Sequence, residues 1–149
     1  MTKKDTITQT ITINAPLAEV WSMLTDTAKM EQWMSDFDLE IRTDWKEGSP
    51  ITFKGDLHGI PFINKGEVLE LDAQTNLAYT FWSSLSQIED IPENYTTIRF
   101  QLTYANNQTI LTFTQSGLHV GTILQHNHFY WRTTLNVIKK FAESNSNLT

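Results

Sequence analysis

The segment from Thr122 to Glu143 constrains the fold most, because it predicts one long amphipathic helix. No Gly or Pro interrupts this segment or follows it before the chain ends. At 100° per residue, one stripe of the helix carries its apolar residues, namely Leu124, Trp131, Leu135, Ile138 and Ala142. Thr122 and Gln125 have the spacing of a capping box. At about 1.5 Å per residue the helix spans roughly 33 Å, so the rest of a small domain is expected to fold around it.

The apolar stripe of this helix also contains polar residues. Asn127 and Thr134 lie within it, and His128 lies at its edge. A stripe that combines Trp with polar groups is typical of a cavity wall. The same residues can also simply bond to nearby backbone or water. The two interpretations separate only if a pocket lies beneath the helix.

The chain before this helix is mostly composed of segments with strand periodicity. Residues 6–14 alternate Ile with Thr and predict a first strand. Pro16 then opens a short helix, and Asp26 is placed to cap a second one that carries Trp33. Six further strands are predicted, within residues 37–44, 51–55, 62–71, 77–82, 98–104 and 111–113 onward, with a polar loop from Asp56 to Pro61 and a tight turn at Asn106-Asn107. Short links between consecutive strands predict an antiparallel meander.

Composition limits the classes of function. The 149 residues suit a single domain over 1–149, with 40% hydrophobic residues and a net charge of −6. This acidic balance argues against a nucleic-acid partner, which requires clustered Lys and Arg. No segment approaches the roughly 20 apolar residues of a membrane span, and the N-terminus lacks a signal-peptide core. With no cysteine in the chain, disulfides and thiolate sites are excluded, and a cytoplasmic location is expected.

Several short motifs, in order along nearly the whole chain, resemble one protein family. They are Ala15-Pro16 with Glu19-Val20-Trp21, Leu24-Thr25-Asp26, Gly66 to Glu70, Leu77 with Tyr79-Thr80 and Trp82, Pro92 to Tyr95, and the closing Trp131, Leu135 and Lys139. The chain resembles the activator-of-Hsp90-ATPase-like branch of the START and Bet v 1-like superfamily. The resemblance implies an α+β helix-grip fold, in which a curved antiparallel sheet wraps around a long C-terminal helix, with two short helices after the first strand.

The resemblance also implies a cavity between the sheet and the C-terminal helix, which many relatives use for apolar small molecules. The expected partner is therefore an apolar, lipid-like or aromatic molecule. Residues expected at the ligand are Trp33, Phe53, Phe62, Tyr79, Phe81, Phe100, Leu102, Asn127, His128, Trp131 and Leu135. The aromatic residues among them equally suit a packed core. The main alternative is a protein-interaction module that contacts a chaperone or a second copy of the chain. A cavity enzyme of the cyclase or aromatase type is the third.

The sequence contains no recognised catalytic or metal-binding motif. The chain contains no nucleophile elbow, no dinucleotide fingerprint and no phosphate loop. His126 and His128 project about 200° apart on a helix and cannot share a metal, although His119 could approach one of them. Glu89, Asp90 and Glu93 are expected to form a solvated acidic loop rather than a catalytic pair. We therefore predict no catalytic residues, no metal and no cofactor.

Overall fold

The computed structural model describes residues 4–34, 39–119 and 122–146, with only the backbone described for residues 4, 119, 122–126, 145 and 146. Seven strands and three α-helices follow one another along these residues. Their bounds are β1 (Lys4–Ile13), α1 (Leu17–Thr25), α2 (Thr27–Met34), β2 (Leu39–Thr43), β3 (Pro50–Leu57), β4 (Ile60–Asp72), β5 (Asn76–Ser83), β6 (Thr96–Ala105), β7 (Gln108–His119) and α3 (Thr122–Ser146). Two short 3-10 turns, Ser84–Ser86 and Pro92–Asn94, lie between β5 and β6.

All seven strands belong to one antiparallel sheet in the order β1-β7-β6-β5-β4-β3-β2. Strands β2 to β7 are neighbours in sequence and in space, which is the predicted meander. β1 joins β7 at the far edge of the sheet, so the first strand and the last strand lie side by side. α3 contacts β1, β7 and both short helices, and covers the inner face of the sheet. The predicted α+β fold, with two short helices after the first strand and a long C-terminal helix, is confirmed.

The connection between β3 and β4 differs from the sequence prediction. A polar loop was expected from Asp56 to Pro61, but β3 continues to Leu57 and β4 begins at Ile60. His58 and Gly59 form a two-residue turn with φ of 51° and 91°, and such turns match the twist of the paired strands. Pro61 is compatible with this strand because the pairing of β4 with β5 begins only at Asn64, so β5 requires no donor from Pro61. The tight turn at Asn106-Asn107 is confirmed, and both residues have positive φ.

One glycine in β4 allows two strands to approach unusually closely. A Cβ atom at Gly66 would lie 1.6 Å from the backbone oxygen of Thr80 in β5. The Thr80 hydroxyl also accepts a hydrogen bond from the Glu67 amide, at 2.9 Å. The pairing register of β4 and β5 shifts between Val68 and Glu70. This irregularity bends β4 in the middle of the sheet, and bulges of this kind increase sheet curvature.

The helices confirm most of their sequence signals. The Asp26 carboxylate accepts the Ala28 amide at 3.0 Å, which caps α2 as predicted. In α3 the stripe residues Trp131, Leu135 and Ile138 are buried, whereas Phe129 on the opposite side is 62% exposed. α3 continues to Ser146, three residues beyond the predicted end, because no Gly or Pro stops it.

A few predictions fall outside the described part of the chain. These are the start of the second predicted strand at residues 37 and 38, and the side chains of the Thr122–Gln125 capping box and of Leu124. Among the helices that the structure describes, none is long and apolar enough to span a membrane.

Candidate functional site

One half of the inner face of the sheet carries four aromatic rings that pack against one another. Trp131 of α3 stacks on Phe113 of β7 with ring centroids 4.0 Å apart, and it meets the edge of Phe100 of β6 at 6.0 Å. Trp33 of α2 contacts Phe100 at 6.5 Å, and its indole N–H donates to the Met23 carbonyl at 2.7 Å. We call Trp33, Phe100, Phe113 and Trp131 the aromatic cluster. It joins α2, α3 and two strands in one apolar core.

A second group of rings lines the inner face on β3 and β5. The ring of Phe53 lies 6.1 Å from that of Tyr79 and 5.9 Å from that of Phe81. Phe53 and Tyr79 are fully buried, Phe62 is 9% exposed, and Phe81 is half-buried. Because side chains alternate between the two faces of a strand, Tyr79 and Phe81 share the inner face of β5. These rings form an aromatic wall beside three polar residues.

Three polar atoms on this half of the inner face are shielded from solvent and have no hydrogen-bond partner among the described residues. They are the Tyr79 hydroxyl, the Asn64 Oδ1 atom and the Gln115 Oε1 atom. We call Asn64, Tyr79 and Gln115 the polar group. Buried polar side-chain atoms usually have a partner, so three exceptions on one face of one sheet require an explanation.

The sheet register places the polar group around the aromatic wall. Tyr79 pairs with Ile98, and Ile98 pairs with Gln115, so Tyr79 and Gln115 flank Ile98 in one row across three strands. Asn64 is opposite Phe53, whose ring contacts Tyr79. Tyr79 and Gln115 therefore share a row toward the end of the sheet where β7 leads into α3, and Asn64 lies nearer that end of β4, opposite Ser83.

The Tyr79 phenol stays neutral in these surroundings. Burial raises its pKa well above the ordinary value, and the nearby Tyr130 phenol of α3 raises the pKa further. Burial also raises the pKa of Tyr130, whose hydroxyl is hydrogen-bonded to the buried Thr134. The Tyr130 residue is nevertheless 44% exposed, so it lies at the boundary between the interior and solvent. A neutral phenol at position 79 can both donate and accept a hydrogen bond.

The structure divides the predicted ligand residues between these two regions and the surface. Trp33, Phe100 and Trp131 belong to the aromatic cluster. Phe53, Phe62, Tyr79 and Phe81 face the polar half. Leu102 and Leu135 are buried in the apolar core, and by register Leu102 shares a row with Leu111 and Ile11, beyond the aromatic cluster from Tyr79.

The two polar helix residues lie at the margin of this interior. Asn127 is half-buried, whereas His128 is exposed. Gln9 on β1 donates to the His128 carbonyl at 2.7 Å and lies 3.3 Å from its Nδ1 atom. His128 therefore joins α3 to the edge strand of the sheet, and the structure does not bring it to the polar group.

Sequence reasoning missed Asn64, Gln115 and Tyr130. A signal was present for the first two, since each is a polar residue at an inward position of a strand. Leu111 and Phe113 point inward on β7, and Gln115 continues the same alternation. Asn64 holds the equivalent place between Phe62 and Val68 on β4. Tyr130 carried no such signal, because it lies beside Trp131 rather than on the stripe.

Metal ligands do not gather in the described residues. No three of their His, Asp or Glu side chains are close enough to hold an ion. The side chains of His119 and His126 lie outside the described ones, so their predicted approach is untested. The expectations of no metal, no cofactor and no catalytic residue remain predictions.

The outer face of the sheet holds the segment between β5 and β6 in place. Lys65 lies 5.6 Å over the ring of Trp82 and forms an ion pair with Asp90. Tyr95 stacks on Trp82, with ring centroids 6.4 Å apart, and its hydroxyl donates to Asp90. The hydrogen bond from Lys65, followed by that from Tyr95, lowers the pKa of the Asp90 carboxyl. Glu89, Asp90 and Glu93 are all exposed, as expected of a solvated acidic loop, and Asp90 has a structural role in addition.

Known structures share this architecture over almost the whole chain. ChR145 from Cytophaga hutchinsonii is 30% identical, covering 97% of each chain with a TM-score of 0.83. The Aha1 dimer from Colwellia psychrerythraea is 24% identical, covering 93% of this chain and 96% of that one, with a TM-score of 0.74. Ara h 8.0201, at 13% identity, covers 95% and 99% with a TM-score of 0.73, and it shows the Bet v 1-like fold.

Sequence comparison gives the family directly. A search of curated proteins finds no match. The family model described as "Activator of Hsp90 ATPase homolog 1-like protein" matches residues 14–143, which include every described strand and helix except β1 and the last three residues of α3. The chain therefore belongs to the activator of Hsp90 ATPase homolog 1-like family.

Proposed function

We propose that this protein binds an apolar small molecule between the inner face of the sheet and α3, beside Phe53, Tyr79 and Phe81. The observation that carries the proposal is the polar group, whose three orphan atoms lie along an aromatic wall. Leaving a buried polar group unpaired typically costs about 1–3 kcal/mol. Binding sites commonly combine apolar walls with a few convergent polar groups that orient the ligand. A ligand that supplies the missing hydrogen bonds would offset this cost.

The proposed site requires some movement before it can bind. Each of the three orphan atoms is shielded from solvent, so a ligand reaches them only when neighbouring side chains shift. Phe81 and Tyr130 are the suitable side chains, because each is only partly buried beside the polar group. Binding would then select an open conformation, and the apparent affinity would fall in proportion to how rarely that conformation forms.

The family and the shared fold support this proposal at a general level. Both are consistent with a domain that holds a ligand or a partner, and neither names the ligand. The aromatic wall and the polar group are specific to the inner face of the sheet. Contact with a chaperone or with a second copy of the chain would instead use the outer surface, so the two functions can be separated by locating where binding occurs.

Native mass spectrometry of freshly purified protein, combined with NMR, tests the proposal. We expect one small molecule per chain to co-purify, or a neutral lipophile from a broad panel to raise the melting temperature, since binding to the native state alone stabilises it. In NMR spectra, the side-chain amides of Asn64 and Gln115 are direct reporters of the site. Their resonances should shift in a saturable manner with the added molecule.

Exposed aromatic residues provide the internal control. Phe129 and Tyr104 are 62% and 51% exposed and would report non-specific adsorption to the surface. Shifts confined to these residues, with the Asn64 and Gln115 amides unchanged and no co-purified molecule, would contradict an interior site. The protein-interaction function would then be favoured.

A further inference from the structure

The orientation of the Gln115 amide is determined by its neighbours. The Thr96 hydroxyl donates to the Phe81 carbonyl at 3.4 Å and therefore uses its lone pairs to accept from the Gln115 Nε2 atom, at 3.0 Å. Reversing the amide would place an oxygen against that hydroxyl, and Thr96 could satisfy it only by releasing Phe81. The side chain is 4% exposed, so its remaining oxygen faces the interior. The Gln115 Oε1 atom is thus an unpaired acceptor, and a ligand can satisfy it only by supplying a hydrogen-bond donor.

The other members of the polar group are compatible with the same kind of ligand. The orphan atom of Asn64 is likewise an amide oxygen, but no hydrogen bond to the described residues fixes this amide, so Asn64 can present either its oxygen or its NH2 group. The Tyr79 hydroxyl can either donate or accept a hydrogen bond. Gln115 therefore requires a hydrogen-bond donor from the ligand, and Asn64 and Tyr79 can each accept one as well.

The described Lys and Arg side chains do not offer a free cation to the polar group. Each Lys and Arg whose side chain the structure describes is either exposed or engaged elsewhere. Arg42, Lys46, Lys54, Arg132 and Lys140 are exposed, while Lys29 pairs with Glu19, Lys65 with Asp90, Arg99 with Glu70, and Lys139 with Glu143. A carboxylate placed beside Gln115 would meet its acceptor oxygen and, among these side chains, no cation. Burying such an unpaired charge is strongly unfavourable.

We propose that the interior site selects a neutral molecule that carries a hydroxyl or N–H donor on an apolar, ring-sized body, and that it rejects carboxylates such as fatty acids. This inference rests on the proposed function and deepens it by specifying the ligand chemistry. Gln115 is the residue that determines the selectivity, because Thr96 fixes its acceptor. The Tyr79 hydroxyl can accept from a donor on the ligand or donate to an acceptor on it.

Three probes of nearly equal shape test the inference on the unmodified protein. At pH 7, 2-naphthol is neutral and carries a donor, 2-methoxynaphthalene is neutral without a donor, and 2-naphthoate is an anion. We expect the Kd of 2-naphthol to be roughly tenfold lower than that of 2-methoxynaphthalene, because a lost bond leaves a buried acceptor unpaired. The Kd of 2-naphthoate should be higher still. Isothermal titration calorimetry at one ionic strength gives all three values.

A matched pair of variants assigns the selectivity to Gln115. In Gln115→Leu, the preference for 2-naphthol over 2-methoxynaphthalene should fall to within about twofold, because no fixed acceptor remains. Gln101→Leu makes the same change at an exposed position on β6 and should keep the full preference.

Two results would overturn the inference while leaving the proposed function intact. These are equal or tighter binding of 2-naphthoate or 2-methoxynaphthalene to the unmodified protein, and an unchanged preference in Gln115→Leu. If none of the probes binds and no small molecule co-purifies, both the proposed function and this inference fail. The probe comparison needs no variant, so it remains decisive even if Gln115→Leu does not fold.

Discussion

The two halves of the inner face of the sheet are both buried, but they differ in how many of their buried polar side-chain atoms have a hydrogen-bond partner. In the aromatic cluster, Trp131 stacks on Phe113, and the one polar atom of Trp33 donates to the Met23 carbonyl. In the polar group, Tyr79, Asn64 and Gln115 each leave one shielded atom without a partner among the described residues. The comparison teaches that burial alone does not separate the two halves. The hydrogen bonding of their buried polar atoms does.

This difference implies that the two halves of the interior contribute differently to the stability of the protein. The aromatic cluster connects α2, α3, β6 and β7, so its packing contributes to the stability of the whole fold. The polar group contributes less than an apolar replacement would, because its orphan atoms are desolvated without compensation. Substitutions in the two halves should therefore change stability in opposite directions.

The largest effect is expected for Trp131→Ala in the aromatic cluster. Loss of a buried indole that stacks on Phe113 should lower the free energy of unfolding by about 3–5 kcal/mol, through lost apolar burial and the cavity left behind. Phe129→Ala, at a 62% exposed position on the same helix, is the control and should cost less than about 1 kcal/mol. Urea titrations measure both values. Equal losses would refute the assigned role of the helix stripe.

The polar group should respond in the opposite way. Tyr79→Phe removes one orphan hydroxyl and preserves the ring against Phe53, so the free energy of unfolding should be unchanged or should rise by about 1 kcal/mol. Binding of any interior ligand that uses this hydroxyl should weaken in the same variant. Tyr104→Phe, at an exposed tyrosine on β6, is expected to change neither quantity. A clear loss of stability in Tyr79→Phe would mean that the hydroxyl has a partner, and the contrast between the two halves would disappear.

The smallest effect is expected on the outer face, where Asp90 holds the segment between β5 and β6. Because the pKa of Asp90 is lowered in the folded protein, its stabilising contribution is present above the ordinary value of 3.8 and is lost as the pH falls through the lowered folded value. Asp90→Asn should therefore lower the melting temperature slightly at pH 7, and the difference from the unmodified protein should vanish in acid.

Asp44→Asn, at an exposed carboxyl, provides the comparison for this pH profile. Thermal melts of the three proteins between neutral and acidic pH give the result. A difference between Asp90→Asn and the unmodified protein that persisted in strong acid would show that the Asp90 charge is not its cause.

The fold followed from the sequence because its signals are local and periodic. Alternation of Ile with Thr predicted β1, and the long uninterrupted stripe predicted α3 and its buried side. The link between β3 and β4 was wrong because His58-Gly59 lacks the Asn or Asp that usually signals a two-residue hairpin turn, although His58 does adopt positive φ. Composition alone suggested a longer polar loop there.

The candidate site was less predictable, because it depends on pairing across strands. Seven aromatic residues were expected to line the interior, and all seven are buried or half-buried. Gln115 and Asn64 were missed, although each interrupts an apolar alternation, since only the cross-strand pairing with Ile98 and Phe53 relates them to Tyr79. His128 shows the opposite case, because a position at the edge of the helix stripe did not specify that Gln9 would meet it at the sheet edge.

The close approach of β4 and β5 at Gly66 limits the substitutions that this sequence can accept during evolution. Any codon change that replaces this glycine adds a side chain against the Thr80 backbone oxygen, which cannot move aside without disturbing β5. Gly48 and Gly59 have open space around them and positive φ, a conformation that Asn and Asp also adopt. Among homologous sequences, position 66 should therefore remain glycine, while positions 48 and 59 should exchange glycine for Asn or Asp.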